Sequence, residues 1–124
     1  MTRRIDGVRI EFIDHAAQRY PTAGDWFFDG DVLVIRVSRT TDERHQQLVA
    51  MHELAEALIC ARDGVTDEAV DAFDIGPGAA LADPGNSPDA PYHAQHMVAT
   101  AIERVMASAL GVEWGDYDAA LEGL

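Results

Sequence analysis

The sequence predicts an α+β domain, strands first and helices after, on three observations. Val8, Ile10 and Phe12 alternate with Arg9 and Glu11, the two-residue period of a half-buried strand. Two apolar runs, 26–28 and 32–37, flank Asp29-Gly30-Asp31, which reads as a three-residue hairpin connection with the glycine in a left-handed conformation. From Thr41 onward the apolar spacing becomes helical and stays so. The predicted architecture is an N-terminal antiparallel hairpin or small sheet followed by helices, in a single domain over residues 1–124.

The elements follow in order. Residues 15–20 form a short helical turn that Pro21 ends. Thr40 or Thr41 caps a helix with Asp42 and Glu43 in its first turn, where acids suit the helix dipole, and Asp63-Gly64 stops it after about Arg62. Thr66 caps a short second helix, 67–73. Residues 75–91 hold Pro77, Pro84, Pro88 and Pro91 and read as a loop, longer than a compact domain carries without a role for it. Pro91 opens a third helix at its first position, after Asp89 or Ala90, and that helix runs to about Leu110, before Gly111. Its expected core stripe is Val98, Ala101, Ile102, Val105 and Ala109. Residues 115–121 make a final short turn of helix.

Composition narrows the function. Hydrophobic residues are 48% and charged residues 25% of 124, the balance of a folded globular chain. The formal charge is −13, and every one of the nine basic residues is Arg. Residues 1–62 carry eight Arg against ten acids, and residues 63–124 carry Arg104 against twelve. Such a surface repels phosphate backbones, so direct nucleic-acid binding is excluded and a peptide or protein substrate or partner is expected. A single cysteine, Cys60, rules out an internal disulfide. The opening residues lack the apolar stretch of a secretory signal, and no run reaches the length of a membrane span. A cytoplasmic location is therefore the expectation.

The chemistry concentrates in His52-Glu53-Leu54-Ala55-Glu56. At about 100° per residue, with His45 at the origin, His52 falls near 340° and Glu56 near 20°, between Leu48 and Ile59 on one side and Val49 and Cys60 on the other. An imidazole and a carboxylate thus sit mid-stripe. Met51, Leu54 and Leu58 make the opposite side apolar too, so the helix is expected to be buried nearly all round. A lone buried carboxylate costs several kcal/mol unless paired or metal-bound. Either His52 and Glu56 neutralise each other one turn apart, or both ligate one metal ion. A further ligand is available where the third helix opens, with His96, on one line with Glu103, preferred over His93. Cys60, Asp71 and Asp74 are lesser candidates as extra ligands, expected instead to be a buried thiol and solvated or capping acids. His52, Glu56 and His96 together make a His–Glu–His set that fits catalytic zinc, Zn2+, with one position open. Glu53, displaced by about 100° from His52, is then placed as general base on water.

These motifs resemble a known family. A hairpin followed by a helix bearing His52-Glu53 is similar to the zincin metallopeptidase core, and its size resembles the minimal zincins of the ImmA/IrrE type. Residues 51–58, Asp89-Ala90-Pro91-Tyr92, His96 and Trp114 resemble the phage-associated zincin-like proteins in particular, over roughly residues 30–117. The resemblance implies a zinc-dependent hydrolase, with His52 as first ligand and Glu53 as general base. The departure is Glu56, which stands where the family has its second histidine; a carboxylate there lowers the charge of the centre and its Lewis acidity. On this reading the strand 32–37 lies along the cleft and pairs with an extended substrate. Two other readings stand beside it. One is a non-catalytic acidic module that binds a basic protein or mimics nucleic acid; the other is a structural metal site closed by four ligands.

Overall fold

A computed structural model describes residues 2–124. Three strands, β1 (Gly7–Ile13), β2 (Gly24–Asp29) and β3 (Val32–Ser38), form one sheet in the order β1-β3-β2. β2 and β3 make the expected antiparallel hairpin. Its connection is shorter than the three residues expected, because Asp29 pairs with Val32 and leaves only Gly30-Asp31 between the strands. Gly30 takes φ 60°, which a type II′ turn requires at its first central position. β1 runs parallel to β3, so the sheet is mixed. β3 is therefore internal, with both edges paired, and the expectation that it pairs with a substrate strand is corrected: among the described residues β1 and β2 are the edge strands, and on β2 Phe28 N already donates to Asp67 Oδ2 at 2.9 Å.

Four helices follow: α1 (Glu43–Asp63), α2 (Asp67–Ile75), α3 (His93–Ala109) and α4 (Trp114–Glu122). The N-cap of α1 is Asp42, whose carboxylate accepts from Arg44 N at 3.0 Å, in place of either threonine. The helix ends at Gly64 with φ 79°. Thr66 caps α2 as expected, accepting from Ala69 N at 3.1 Å, but the helix continues two residues beyond Phe73. α3 starts at His93 rather than at Pro91, which occupies the preceding turn. α4 is a full nine-residue helix where a short turn was expected. The loop expected over 75–91 begins one residue later, after α2, and is made of turns, with one 3-10 turn at Pro84–Asn86.

α1 lies across β2 and β3, and the core forms between them from Trp26, Leu33, Ile35 and Val37 on the sheet and Leu48, Val49, Ala57 and Cys60 on the helix. Neither of two burial expectations holds in full. The far side of α1 is half-buried at Met51 and Leu54 and open at Leu58, so the helix is not enclosed all round. Val8 and Ile10 alternate as read but remain exposed, because α1 sits over the other two strands.

The largest correction concerns α3. Its expected core stripe faces outward: Val98 is 49% exposed, Ile102 38% and Val105 71%. The side packed on α1 is instead Gln95, His96, Ala99, Glu103 and Ala107. The helix is turned so that its polar side chains, not its aliphatic ones, enter the interior. Hydrophobic burial alone gives the opposite orientation.

Candidate metal centre

α1 and α3 pack antiparallel, which sets His52 and Glu56 of α1 against Glu103 and His96 of α3. All four side chains are buried. His52 Nε2, Glu56 Oε2 and His96 Nδ1 converge, at 3.1 Å from His52 to each of the other two and 2.8 Å between Glu56 and His96. These are the three residues read from the sequence as ligands, and among the described residues they are the group able to hold a metal ion. His93 does not join them; its Nδ1 donates to Gly85 O at 2.9 Å. The lesser candidates stand apart as well. Asp71 is clamped by Arg19, Asp74 accepts from Tyr20 and Tyr92, and Cys60 is a fully buried core thiol.

The proton inventory of this cluster is the informative part. His52 Nδ1 lies 2.7 Å from Glu103 Oε1, and a carboxylate accepts only, so that nitrogen carries the ring proton. His96 Nε2 lies 3.3 Å from Asp83 Oδ2, and the same reasoning puts its proton there. In their neutral forms both rings therefore turn a lone pair toward Glu56 Oε2. Three acceptor atoms about 3 Å apart need a proton or a cation among them. Burial opposes charge on His52, yet the hydrogen bonds of Glu103 and Glu56 outweigh it and hold the ring up to about 11. His96 is raised to about 9 in the same way by Asp83 and Glu56. Burial pushes the Glu56 carboxyl up, but the two histidines bring it well below the usual carboxylate range.

The outer supports were not assigned from the sequence. Glu103 accepts from Tyr117 OH as well as from His52, which links α4 to the cluster through one carboxylate. Trp26 Nε1 donates to Glu56 Oε1 at 3.0 Å, fixing the oxygen that faces away from the histidines. A Cβ on Gly85 would collide with the His96 ring, lying 2.7 Å from Cε1, so the 3-10 turn reaches that ring only because it has no side chain there. The lone signal for Glu103 was its place seven residues after His96 on the same helical line. Asp83 and Gly85 lie in an aperiodic segment and gave none.

The cluster opens onto a cleft of about 490 Å³ lined by β2, α1, the 79–84 segment and α4. Glu53 lines this cleft with its side chain against Gly24 of β2, where a Cβ would overlap the carboxylate. Burial and, next, the charge of Glu56 push the Glu53 carboxyl well above its ordinary range. No protein-family model matches the chain, and neither a curated protein nor a solved structure does.

Proposed function

We propose that the chain is a zinc-dependent hydrolase of zincin-like type, most simply a peptidase, with His52, Glu56 and His96 as ligands and Glu53 as general base. The observation that carries this reading is the orientation of α3, which buries His96 and Glu103 and leaves Val98, Ile102 and Val105 in solvent. Turning an aliphatic face outward costs roughly 1.5–3 kcal/mol per large side chain, and a divalent ion among three converging acceptors supplies a compensating interaction. A tetrahedral zinc with ligand atoms about 2.0–2.1 Å away separates them by about 3.3 Å, close to the 2.8–3.1 Å found here.

Three ligands with a cleft beside them fit a catalytic centre better than a structural one, which takes four. When bound, the ion supplies Lewis-acid polarisation of a scissile carbonyl and of the attacking water. The chain's own residues do the rest. Glu103 and Asp83 fix the ring protons of His52 and His96 on the outer nitrogens, leaving the inner ones free to ligate. Trp26 holds Glu56 in a single orientation. The raised Glu53 carboxyl holds its proton in the metal-free cluster; a divalent cation beside it would favour the ionised form, in which Glu53 would accept the proton of the attacking water and return it to the leaving group. Gly24 at the cleft wall gives that carboxylate its space. An extended substrate would lie along the edge strand β2, in place of β3.

Metal analysis of untagged protein tests the reading. We expect about one zinc per chain, lost in His52→Ala and in His96→Ala. Glu53→Gln should keep the metal and abolish cleavage of a casein or peptide-library substrate. Untagged protein that takes up no zinc would sink the proposal at once. Zinc retained with no Glu53-dependent cleavage would leave a metal site without hydrolysis.

A further inference from the structure

β1 is the edge of the sheet away from the cleft, and its register fixes which of its backbone groups are unpaired. Ile13 stands level with Ser38 and its carbonyl accepts from Arg39 N at 2.8 Å, so Ile13 directs its backbone toward β3. That direction alternates along a strand, so Gly7, Arg9 and Glu11 also face β3, while Val8, Ile10 and Phe12 turn their N–H and C=O groups outward. Among the described residues these outward groups have no backbone partner. β1 makes its extensive contacts with β3 alone, and Val8 and Ile10 are 48% and 43% exposed. An open edge of this kind is a template for another strand.

We propose that a second copy of the chain docks on this edge, β1 pairing antiparallel with β1 about a two-fold axis at Ile10, so that the two sheets become one. The strand is its own complement. In that register Val8 meets the partner's Phe12, Arg9 meets the partner's Glu11, and Ile10 meets the partner's Ile10. Every outward N–H and C=O of both strands then falls at a hydrogen-bonded position. Arg9 and the partner's Glu11 fall at the position between, where Cα atoms stand about 4.5 Å apart and side chains come closest. A shift of two residues either way sets Arg9 opposite the partner's Arg9, or Glu11 opposite the partner's Glu11, and leaves part of the backbone row unpaired. Like charges directly opposite are unfavourable, and a shift of one residue turns the wrong groups and faces together. The charges therefore select one register.

The surroundings agree with this pairing. Val8 and Ile10 lie on the α1 side of the sheet, where α1 stops short of them, and the pairing brings the Ile10 side chains of the two copies into contact. Beyond the strand ends Asp6 comes opposite the partner's Asp14, but each has its own arginine, Arg4 at 2.6 Å and Arg39 at 2.9 Å. The edge also belongs to residues 1–62, where eight Arg stand against ten acids, so the copies meet on their less acidic halves. An unrelated extended peptide would find the same backbone groups, but the charge pattern fitted to them is that of the strand itself. Affinity in this mode comes from main-chain hydrogen bonds more than from area. Over a seven-residue strand, a Kd on the order of 10–100 µM is expected.

Sedimentation equilibrium of the full chain, from about 5 to 500 µM, tests this without reference to metal or cleavage. We expect a monomer–dimer equilibrium. Arg9→Glu and Glu11→Arg, at side chains 50% and 37% exposed, should each raise Kd about tenfold by setting like charges across the axis. Mixing the two single variants should restore association, because each then meets the opposite charge. Ile10→Pro removes an outward N–H and spares the bonds to β3, so it should give a monomer with unchanged circular dichroism. A wild-type monomer at the highest concentration overturns the proposal, including the case where the edge takes a strand of another protein. A dimer that both charge variants leave intact overturns it too, as does a mixture that fails to regain association.

Discussion

At the scale of single residues, the site depends on which nitrogen of each histidine is free, and that choice is made one shell out. Glu103→Gln keeps the size of the side chain but can turn a donor toward His52 Nδ1, which favours the wrong ring tautomer. Zinc affinity should fall by about 10–100-fold, measured by competition with a chelating dye, while the fold is kept. Two glycines make sharper demands. Gly85→Ala drives a methyl into the His96 ring, and we expect about 1–3 kcal/mol of destabilisation in urea titration, together with weaker metal binding. At Gly24 a methyl meets Glu53 and stands 2.7 Å from Val49 Cγ1. Since Glu53 is proposed as the base and not a ligand, Gly24→Ala should lower kcat while zinc content stays the same. The pair of glycines thus separates binding from turnover. His52, Glu56 and His96 were legible in the sequence because two of them sit mid-stripe on one helix and the other opens a second helix. Glu103 and Asp83 were not, since their roles exist only once α1 and α3, or the 79–84 segment and α3, are side by side.

At the scale of elements, local signals place the caps and turns closely, except where two suitable residues adjoin. Thr40, Thr41 and Asp42 all cap well in principle. Asp42 takes the position, and Thr40 turns instead to the α1 start, where its hydroxyl accepts from Gln46 N at 3.1 Å. The Arg44 side chain and backbone N–H hold the Asp42 carboxyl down to about 2, against an ordinary value of 3.8. A carboxyl depressed in the folded state stabilises above its unfolded value and loses that contribution as pH falls through the folded one. Asp42→Ala should therefore lower Tm at neutral pH, and the gap from wild type should close between about pH 4 and pH 2, read by thermal melts across that range. The orientation of α3 has a different origin. Periodicity gave its apolar stripe correctly, but periodicity reports which residues share a face and not which face points inward. Along β1 the same limit applies: Val8 and Ile10 share a face with Leu33 and Ile35, and α1 does not reach far enough to cover it.

At the scale of the whole molecule, charge bears on stability, and a metal bound at the proposed centre would add to it. Twelve acids against one arginine in residues 63–124 repel one another, and salt screens that repulsion. The acids around the proposed centre would make a divalent ion bound there a stabiliser of the fold. Free zinc at about 100 times its Kd should add roughly 2.7 kcal/mol, visible as a rise in Tm that chelator reverses and that His96→Ala abolishes. Among the described residues no helix is long and apolar enough to cross a membrane. The amino-acid sequence by itself determined the α+β class, the order of strands and helices, the hairpin and the placing of His52 and Glu56 on one helix face, because these follow from local periodicity, caps and spacing along one chain. Tertiary structure alone decided that β1 joins β3 in parallel, that β3 is internal, and that α3 buries its polar side. Each of those is a relation between segments far apart in sequence, set by where side chains from α1, α3 and the sheet meet.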